Sequence, residues 1–309
     1  MANFVTPAQK VAESTVAALR FLSVLPRTVN RDAEAAYEAG FGTTVSVPLP
    51  VKATANELSK SQREARAAIT YGDLSRQYCP VALDTQIYSA ARLPSDWATW
   101  TLQDFEKEVV RPQAEAVVDI VPAKLADVMK TVKASQADNP KAAGVVYTDA
   151  KALKIKGDGS NVFAVLSRVA RVLNVNKVPA SDRYIAVGAG ISEILHRNKD
   201  LLNVSFSADQ GDLLHEAIIT RLHGFTVVED VNLPEDFGVA YQRDAFTLAL
   251  RAADVPQGAT YGASVAQDGF SIRHICDYDP NYTEDRSVID AFFGAAVMDE
   301  ARATSFGLA

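Results

Sequence analysis

The sequence predicts an α+β protein in which extended elements at the start of the chain precede a mixed helix-and-strand region. Three observations lead to this fold class. Apolar and polar residues alternate with period two in residues 43–51 and again in residues 78–88. Apolar residues then recur at helical spacing over residues 102–133, and beyond residue 144 short helical and strand patterns follow one another.

The first forty residues are predicted to form an N-terminal arm. Residues 10–25 carry apolar side chains at spacings that favour a short helix, and Pro26 would end it. A polar stretch from Asn30 to Glu34 leads to Gly40-Phe41-Gly42. We expect no part of this arm to begin a compact core.

The next region is predicted to be a two-stranded β-ribbon. In Thr43–Val51 the residues Val45, Val47, Leu49 and Val51 share one face, while Pro48 and Pro50 lie on the other. Proline cannot donate to a ladder, so this strand belongs at an edge or in an isolated ribbon. Tyr78–Tyr88 is the second strand, after a polar stretch at Asn56–Arg66. An isolated ribbon is marginally stable in water, so it is expected to lie on another surface.

A long helix is predicted next. Thr101–Asp104 resembles a capping box, and Pro112 and Pro122 would kink or divide the roughly 30-residue helix that follows. The acidic residues of its polar face are interpreted as solvated and not as a carboxylate site. Its expected apolar face consists of Leu102, Phe105, Val109, Ala116, Ile120, Leu125 and Val128.

The rest of the chain is predicted to mix helices and strands. Ser135–Lys141 is interpreted as a linker, and Gly224 as the C-terminal cap of the helix before it. The expected helices are 162–173, 191–196 and 213–222, and the expected strands or short elements are 183–188, 225–230, 244–251, 269–276 and 287–297.

Composition excludes several classes of protein. The chain has 309 residues, 48% hydrophobic and 22% charged, as in ordinary globular proteins. We find no secretory signal at its start and no apolar run of the roughly 18 residues that a membrane span needs. The net charge of −7 argues against tight binding to nucleic-acid phosphates, which needs clustered basic residues. Cys79 and Cys276 form no disulfide framework, which favours a reducing cytoplasm as the place of synthesis.

Three segments and the four histidines are considered as chemical sites, and each has a simpler explanation. Gly188-Ala189-Gly190 resembles the start of a dinucleotide fingerprint, but Glu193 replaces its third glycine, so a tight strand-to-helix turn is the better interpretation. Lys154–Asn161 lacks the spacing of a phosphate-binding loop. Asp277–Asn281 lacks the central glycine and closing glutamate of a calcium loop. The histidines His196, His215, His223 and His274 show no zinc-ligand spacing.

The sequence therefore predicts no catalytic, cofactor-binding or metal-ligating residues, and no cofactor. Neither cysteine has a local nucleophile signature, and no serine-nucleophile elbow precedes a suitable histidine. We expect the protein not to be an enzyme.

The order of arm, ribbon, long helix, mixed region and terminal strands resembles the major capsid proteins of tailed bacteriophages, with the Hong Kong 97-type fold. Within that group it looks most like the family of the phage P twenty-two coat protein. The residues that carry the likeness are 24–48, Ala180–Gly188, Ile219–Pro234 and Asp285–Ala295. The match extends along nearly the whole chain as a pattern, without a catalytic signature.

The resemblance implies a structural protein that self-assembles into the icosahedral head of a virion around double-stranded DNA. It implies pentamers and hexamers of the chain itself, portal and scaffolding proteins as partners, possible decoration proteins and weak contact with the DNA, without a membrane. Assembly would take place in the host cytoplasm. Crosslinking through lysine occurs in some relatives, but Lys52 and Lys60 are not expected to do so here. The implied division is an N-terminal arm (1–40), an extended β-ribbon loop (41–95), a peripheral domain with a spine helix (96–140), an axial domain (141–256) and C-terminal strands that return to both domains (257–309).

Two alternatives remain open at this point. An encapsulin-like nanocompartment would share the fold and package enzymes, although an N-terminal arm favours a phage shell. A cytoplasmic α/β enzyme could instead bind a nucleotide or phosphorylated substrate through Gly188 and Gly190.

Overall fold

The computed structural model describes residues 24–32, 43–49, 55–69, 71, 78–96, 106–135, 144–149, 151–198, 221–267 and 270–309. The helices are α1 (Lys60–Glu64), α2 (Arg111–Lys130), α3 (Val162–Val175) and α4 (Ala189–Arg197). The strands are β1 (Thr44–Pro48), β2 (Tyr78–Ala82), β3 (Thr85–Pro94), β4 (Lys154–Ile155), β5 (Arg183–Val187), β6 (Arg221–Leu222), β7 (Phe225–Glu229), β8 (Phe237–Gln242), β9 (Phe246–Arg251), β10 (Tyr261–Gln267), β11 (Phe270–Asp279), β12 (Glu284–Val297) and β13 (Ala303–Leu308). The α+β class is confirmed.

An antiparallel sheet is built around the 14-residue strand β12. The order of its strands is β10-β11-β12-β3, and β9 pairs with the C-terminal part of β12. Helix α2 packs on one face, where Val117, Val121 and Leu125 are fully buried against a core that includes Ile289 of β12. This helix and sheet form the larger hydrophobic core.

A six-stranded mixed sheet has the order β4-β13-β8-β5-β7-β6. Strand β7 runs parallel to β5, and β13 runs parallel to β4, while the other pairs are antiparallel. Helix α3 buries its residues at spacings of three and four, as its sequence predicted, in a second core that also holds residues of α4. The two sheets are joined by the chain between β8 and β9 and between β12 and β13.

Residues 25–30 belong to the larger core, so the expectation that the first forty residues contribute nothing to a core was wrong for this segment. Leu25 and Val29 are fully buried. Asn30 forms a parallel bridge with Thr247, and the Asn30 amide donates to the carbonyls of Arg243 and Phe246 at 3.1 Å. Residues 10–23 of the helix predicted at 10–25 lie outside the described residues, and Leu25–Arg27 form a 3-10 turn.

The long helix differs from its prediction in length and phase. A π-helical turn, Glu106–Val110, precedes α2, and the capping box at Thr101–Asp104 lies outside the described residues. Ala116 and Ile120 are exposed, although they were expected on the apolar face. Val117 and Val121, the next residues along the chain, are buried in their place, while Leu125 is buried as expected.

Both prolines are compatible with a continuous helix α2. Pro112 lies in the first turn, where a missing backbone N–H costs no helical hydrogen bond. The helix continues through Pro122. The predicted division at Pro122 therefore does not occur, and the alternative, a kink, stays a prediction.

The predicted helix at 213–222 is corrected at its described end. Arg221 and Leu222 form β6, which pairs with β7 through the two-residue turn His223-Gly224. Both turn residues have positive φ, 50° and 83°, as tight hairpin turns of this kind require. A glycine with positive φ serves a helix cap equally well, which is why the sequence signal was ambiguous. Residues 213–220 lie outside the described residues.

Candidate assembly surfaces

The predicted ribbon is present as an antiparallel pair of β1 and β2. The predicted second strand, Tyr78–Tyr88, is divided after Ala82, and its last part belongs to β3 of the five-stranded sheet. Val45 and Val47 are buried, while Thr44, Ser46 and Pro48 are exposed. The apolar face contacts its own subunit, where Ala249 and Met298 belong to the same buried cluster. The base of the ribbon thus obtains within the chain the support that its two strands need.

The loop that the ribbon carries differs from its base, because every described residue from 55 to 69 is exposed. Helix α1 within it is closed by a capping box, in which the Gln62 amide donates to Ser59 Oγ at 3.3 Å and the Ser59 amide donates to Gln62 Oε1 at 2.9 Å. A five-residue helix is marginal in water without tertiary contacts. The loop therefore has local order and no core beneath it.

Apolar side chains on this loop are turned to solvent. Tyr71 is 89% exposed and Ile69 is 64% exposed, and Leu58 is also exposed. The sequence analysis treated Asn56–Arg66, which contains Leu58, as polar and singled out neither Ile69 nor Tyr71, since isolated apolar residues show no periodicity. Three exposed apolar residues on one exposed segment make it a candidate for a protein–protein contact.

A buried polar network joins helix α2 to its sheet, and the sequence gave no sign of it. The Gln113 side-chain amide donates to the Ser287 carbonyl at 2.9 Å, and Ser287 Oγ donates to Gln113 Oε1 at 2.8 Å. His274 Nε2 lies 3.0 Å from the same Ser287 hydroxyl. Because that hydroxyl donates to Gln113, His274 Nε2 is the donor to Ser287, and Nδ1 is unprotonated. Burial lowers the pKa of His274 to about 4, so the ring is neutral near pH 7.

The opposite face of this sheet holds a buried ion pair. Arg273 donates to Asp290 Oδ1 at 2.8 Å and to Asp290 Oδ2 at 2.5 Å. Gln86 donates to Asp290 Oδ2 at 2.6 Å, and the Asp290 side chain is only 2% exposed. A buried carboxylate is tolerated when it is paired and hydrogen-bonded in this way, so these residues have a structural role.

The structure explains Gly188 and Gly190 by packing. A Cβ at Gly188 would lie 2.0 Å from the Pro234 carbonyl oxygen, and one at Gly190 would lie 2.8 Å from the Glu235 carbonyl oxygen. The Ile191 amide in the first turn of α4 donates to Glu235 at 3.1 Å. The chain segment at 234–235 thus occupies the N-terminus of α4, where a dinucleotide would place its phosphates.

The other two glycine- and aspartate-containing segments are turns only in part. Lys154–Ile155 form β4 before the first turn, and Asp277–Asp279 are the end of β11 before the second. Asn161 closes the first, because its side chain accepts from the Lys156 amide at 2.8 Å and donates to the Lys154 carbonyl at 2.9 Å. In the second, Asp279 accepts from the Asn281 amide at 2.9 Å and forms an ion pair with Arg286. Over the described ranges, no group of three or more histidine, cysteine, aspartate or glutamate side chains could hold a metal ion.

The other described residues considered in the sequence analysis as possible ligands, crosslinking groups or nucleophiles lie on different elements of the structure. His223 packs edge-on against Phe163 with ring centroids 5.6 Å apart, His196 lies in α4, and His215 is outside the described residues. Lys60 forms an exposed ion pair with Glu64 at 3.8 Å, whereas Lys52 is outside the described residues. Burial raises the pKa of Cys79, which keeps its thiol protonated.

None of the described helices combines the length and the apolar character that a membrane span requires.

Comparison with solved structures shows which known fold this architecture is similar to. The chain is similar to a structure from Mycobacterium phage Che8, with a TM-score of 0.61 and 17% identity over 92% of this chain and 90% of that one. It is also similar to the capsid structure of the cyanophage P-SCSP1u, with a TM-score of 0.59 and 13% identity over 87% of this chain and 84% of that one. The chain has a phage capsid fold.

A third capsid structure supports the same fold. The mature capsid of bacteriophage PhiM1 matches with a TM-score of 0.58 and 12% identity over 87% of this chain and 83% of that one. No protein-family model matches the chain, and no curated protein matches its sequence. The capsid fold is thus apparent in the backbone at identities too low for sequence comparison to detect.

Proposed function

We propose that this chain is the major capsid protein of a tailed phage, which self-assembles into an icosahedral shell around double-stranded DNA and so forms part of the virion. The observation that carries the proposal is the match of nearly the whole chain to phage capsid structures. The exposed loop at residues 55–71 supports it, because a subunit that builds a shell needs projecting contact surfaces more than a pocket.

The proposed division of the chain into domains follows the Hong Kong 97-type arrangement. Residues 41–95 form the extended loop, which β3 roots in the five-stranded sheet. Residues 96–140 supply the spine helix α2 of a peripheral domain. Residues 141–256 form the axial domain around the six-stranded sheet, although β9 in this range pairs in the five-stranded sheet. Residues 257–309 return to both sheets through β12 and β13. The arm, residues 1–40, is rooted by the buried segment at 25–30.

The proposal assigns the chain no enzymatic activity and no cofactor. The packing of Pro234 and Glu235 against α4 leaves no room for a dinucleotide at Gly188, which was the basis of the enzyme alternative. Other copies of the chain are the principal partners. Portal, scaffolding and decoration proteins would join them, and contact with DNA would be weak and non-specific because the chain is acidic.

The test is negative-stain electron microscopy of the purified protein together with size-exclusion chromatography and light scattering. Shells, or discrete pentamers and hexamers, are the expected result. A monomer or dimer that is unchanged by concentration, salt or crowding agent would overturn the proposal. Shells that contain a cargo enzyme in place of DNA would favour the encapsulin-like alternative. A ligand-dependent rise in melting temperature with no assembly would favour an enzyme.

A further inference from the structure

Strand β10 differs from every other edge strand that the structure describes. Sheet edges invite unwanted pairing, and proteins block them with short strands, charges or proline. The edges of the six-stranded sheet are β4 and β6, each two residues long. Strand β3 contains Arg92 and Pro94, and each ribbon strand contains a proline.

The remaining edge, β9, is covered by the chain itself. Asn30 bridges Thr247, and the Leu248 amide donates to the Asn30 carbonyl at 2.9 Å. Every edge other than β10 is therefore short, blocked or covered within the described residues.

β10 has none of these protections. Its seven residues, Tyr-Gly-Ala-Ser-Val-Ala-Gln, contain no charge and no proline. β11 pairs with all seven on one side, and β10 stands at the end of the strand order. The segment at 253–255 lies over a face of this hairpin and not along its edge, because Ser264 donates to the Ala253 carbonyl and Arg273, opposite Ser264 in β11, donates to the Asp254 carbonyl.

We propose that β10 pairs antiparallel with β10 of a second copy of this chain, about a two-fold axis at Ser264. This inference rests on the proposed function, since a shell brings many copies of the same edge together. In this register Ser264 lies opposite Ser264 of the partner subunit, Ala263 opposite Val265, Gly262 opposite Ala266 and Tyr261 opposite Gln267.

The self-pairing is chemically compatible along its whole length. No like charges meet, because the strand has no charged residue, and like charges directly opposite each other destabilise a pair of strands. Asp277, the acidic residue next to the Tyr261 end, would lie near the Gln267 end of the partner strand, a full strand length from its own copy. A two-fold contact uses the same patch on both subunits, so a single uncharged strand suffices.

Disulfide trapping tests the register. Directly opposed residues of antiparallel strands have Cα atoms roughly 4.5–5.5 Å apart, within the range that a disulfide spans. Ser264→Cys, in a Cys276→Ser background, is expected to convert most chains of assembled particles to disulfide-linked dimers under mild oxidant. Ala90→Cys in the same background is the matched control, because Ala90 is an exposed residue of the protected edge strand β3. It should give few dimers.

Amide hydrogen exchange of the β10 peptide in assembled particles provides a second readout. A strand paired on both sides should exchange slowly at all its amides, whereas a strand paired on one side exchanges rapidly at alternate residues. If Ser264→Cys does not assemble, the double variant Ala263→Cys/Val265→Cys tests the same register.

The outcomes separate this inference from the proposed function. Slow exchange without a Ser264→Cys crosslink would mean that another segment covers the edge, and rapid alternate exchange would mean that the edge is open. Either result overturns the self-pairing while leaving the capsid assignment intact. Equal crosslinking of Ala90→Cys would overturn it as well. Failure of the unmodified protein to form any particle, seen by microscopy beforehand, would overturn the proposed function and this inference with it.

Discussion

The hydroxyl groups of Thr28 and Tyr241 lie 2.5 Å apart although 213 residues separate them in the chain. Both residues are buried, and Thr28 Oγ1 also donates to the Leu25 carbonyl at 2.7 Å. Tyr241 is therefore the donor to Thr28. Burial raises the pKa of Tyr241, which keeps the phenol protonated and able to donate. This contact fixes residues 25–30 against β8 in the larger core.

Removal of the Tyr241 hydroxyl should lower the free energy of unfolding less than removal of the Thr28 hydroxyl. Tyr241→Phe deletes the donor and leaves Thr28 bonded to Leu25, so the free energy of unfolding should fall by about 1 kcal/mol. Thr28→Val leaves the buried Tyr241 hydroxyl and the Leu25 carbonyl without this partner, which should cost about 2–3 kcal/mol. Urea titration of the single and double variants measures both values. Additive losses in the double variant would contradict a direct interaction between the two side chains.

Gly188→Ala should destabilise the protein strongly. The new methyl group would overlap the Pro234 carbonyl oxygen, a backbone atom that cannot rotate away, so we expect a loss of roughly 3 kcal/mol. Gly157→Ala is the matched control, because a Cβ at Gly157 meets no atom within 4 Å. Thermal unfolding of the two variants compares them. Equal melting temperatures would show that the 234–235 segment does not pack against α4.

His274 should make stability depend on pH in the mildly acidic range. Its pKa is lowered by burial from about 6.5 to about 4, so the unfolded chain binds this proton more readily than the folded one. The contribution is complete above pH 6.5, decreases as the pH falls from 6.5 towards 4, and changes no further below that. The expected loss is about 3 kcal/mol.

A variant isolates this effect from that of the carboxylates, which also titrate at low pH. His274→Gln cannot titrate, so the difference in unfolding free energy between it and the unmodified protein should change between pH 6.5 and pH 4. Denaturant titrations at several pH values measure that difference. A difference that is constant with pH would show that His274 is accessible to water in the folded state.

The exposed apolar residues of the ribbon loop should affect assembly without affecting the fold. Ile69 and Tyr71 are 64% and 89% exposed, so the double substitution to serine should leave the melting temperature of the subunit within about 1 °C. Shell formation, followed by light scattering, should be reduced or lost. Val231→Ser is the control, since Val231 is 83% exposed but lies outside the loop. Normal assembly of the double variant would exclude these two side chains from the subunit contacts.

Local patterns were predicted well from the sequence, and contacts between distant residues were not. The alternation of Val45 and Val47 with polar neighbours defined β1, because a period of two has a single structural meaning. Gly224 was ambiguous, since a helix cap and a hairpin turn need the same backbone conformation. At Ile120 the apolar face of α2 was misplaced by one residue, because its neighbour Val121 is also apolar and is the one that is buried.

The buried polar residues show most clearly which contacts the sequence could not predict. Gln113 lies 174 residues before Ser287, while His274 and Ser287 lie on the neighbouring strands β11 and β12, and none of the three belongs to a motif. The burial of Leu25 was missed for a similar reason, because the core that it joins is built from other elements, such as helix α2. Sequence spacing reports on neighbours within one element, and a buried network depends on the tertiary fold.

The length of β12 has a mechanical consequence. This strand is hydrogen-bonded to β3 and β11 along its first part and to β9 along its last, and the chain then passes to β13 in the other sheet. Hydrogen bonds in an antiparallel pair lie perpendicular to the strands, so tension along β12 loads many of them in shear at the same time instead of opening them one by one. A pull that tends to separate the two sheets is thereby distributed over three neighbouring strands.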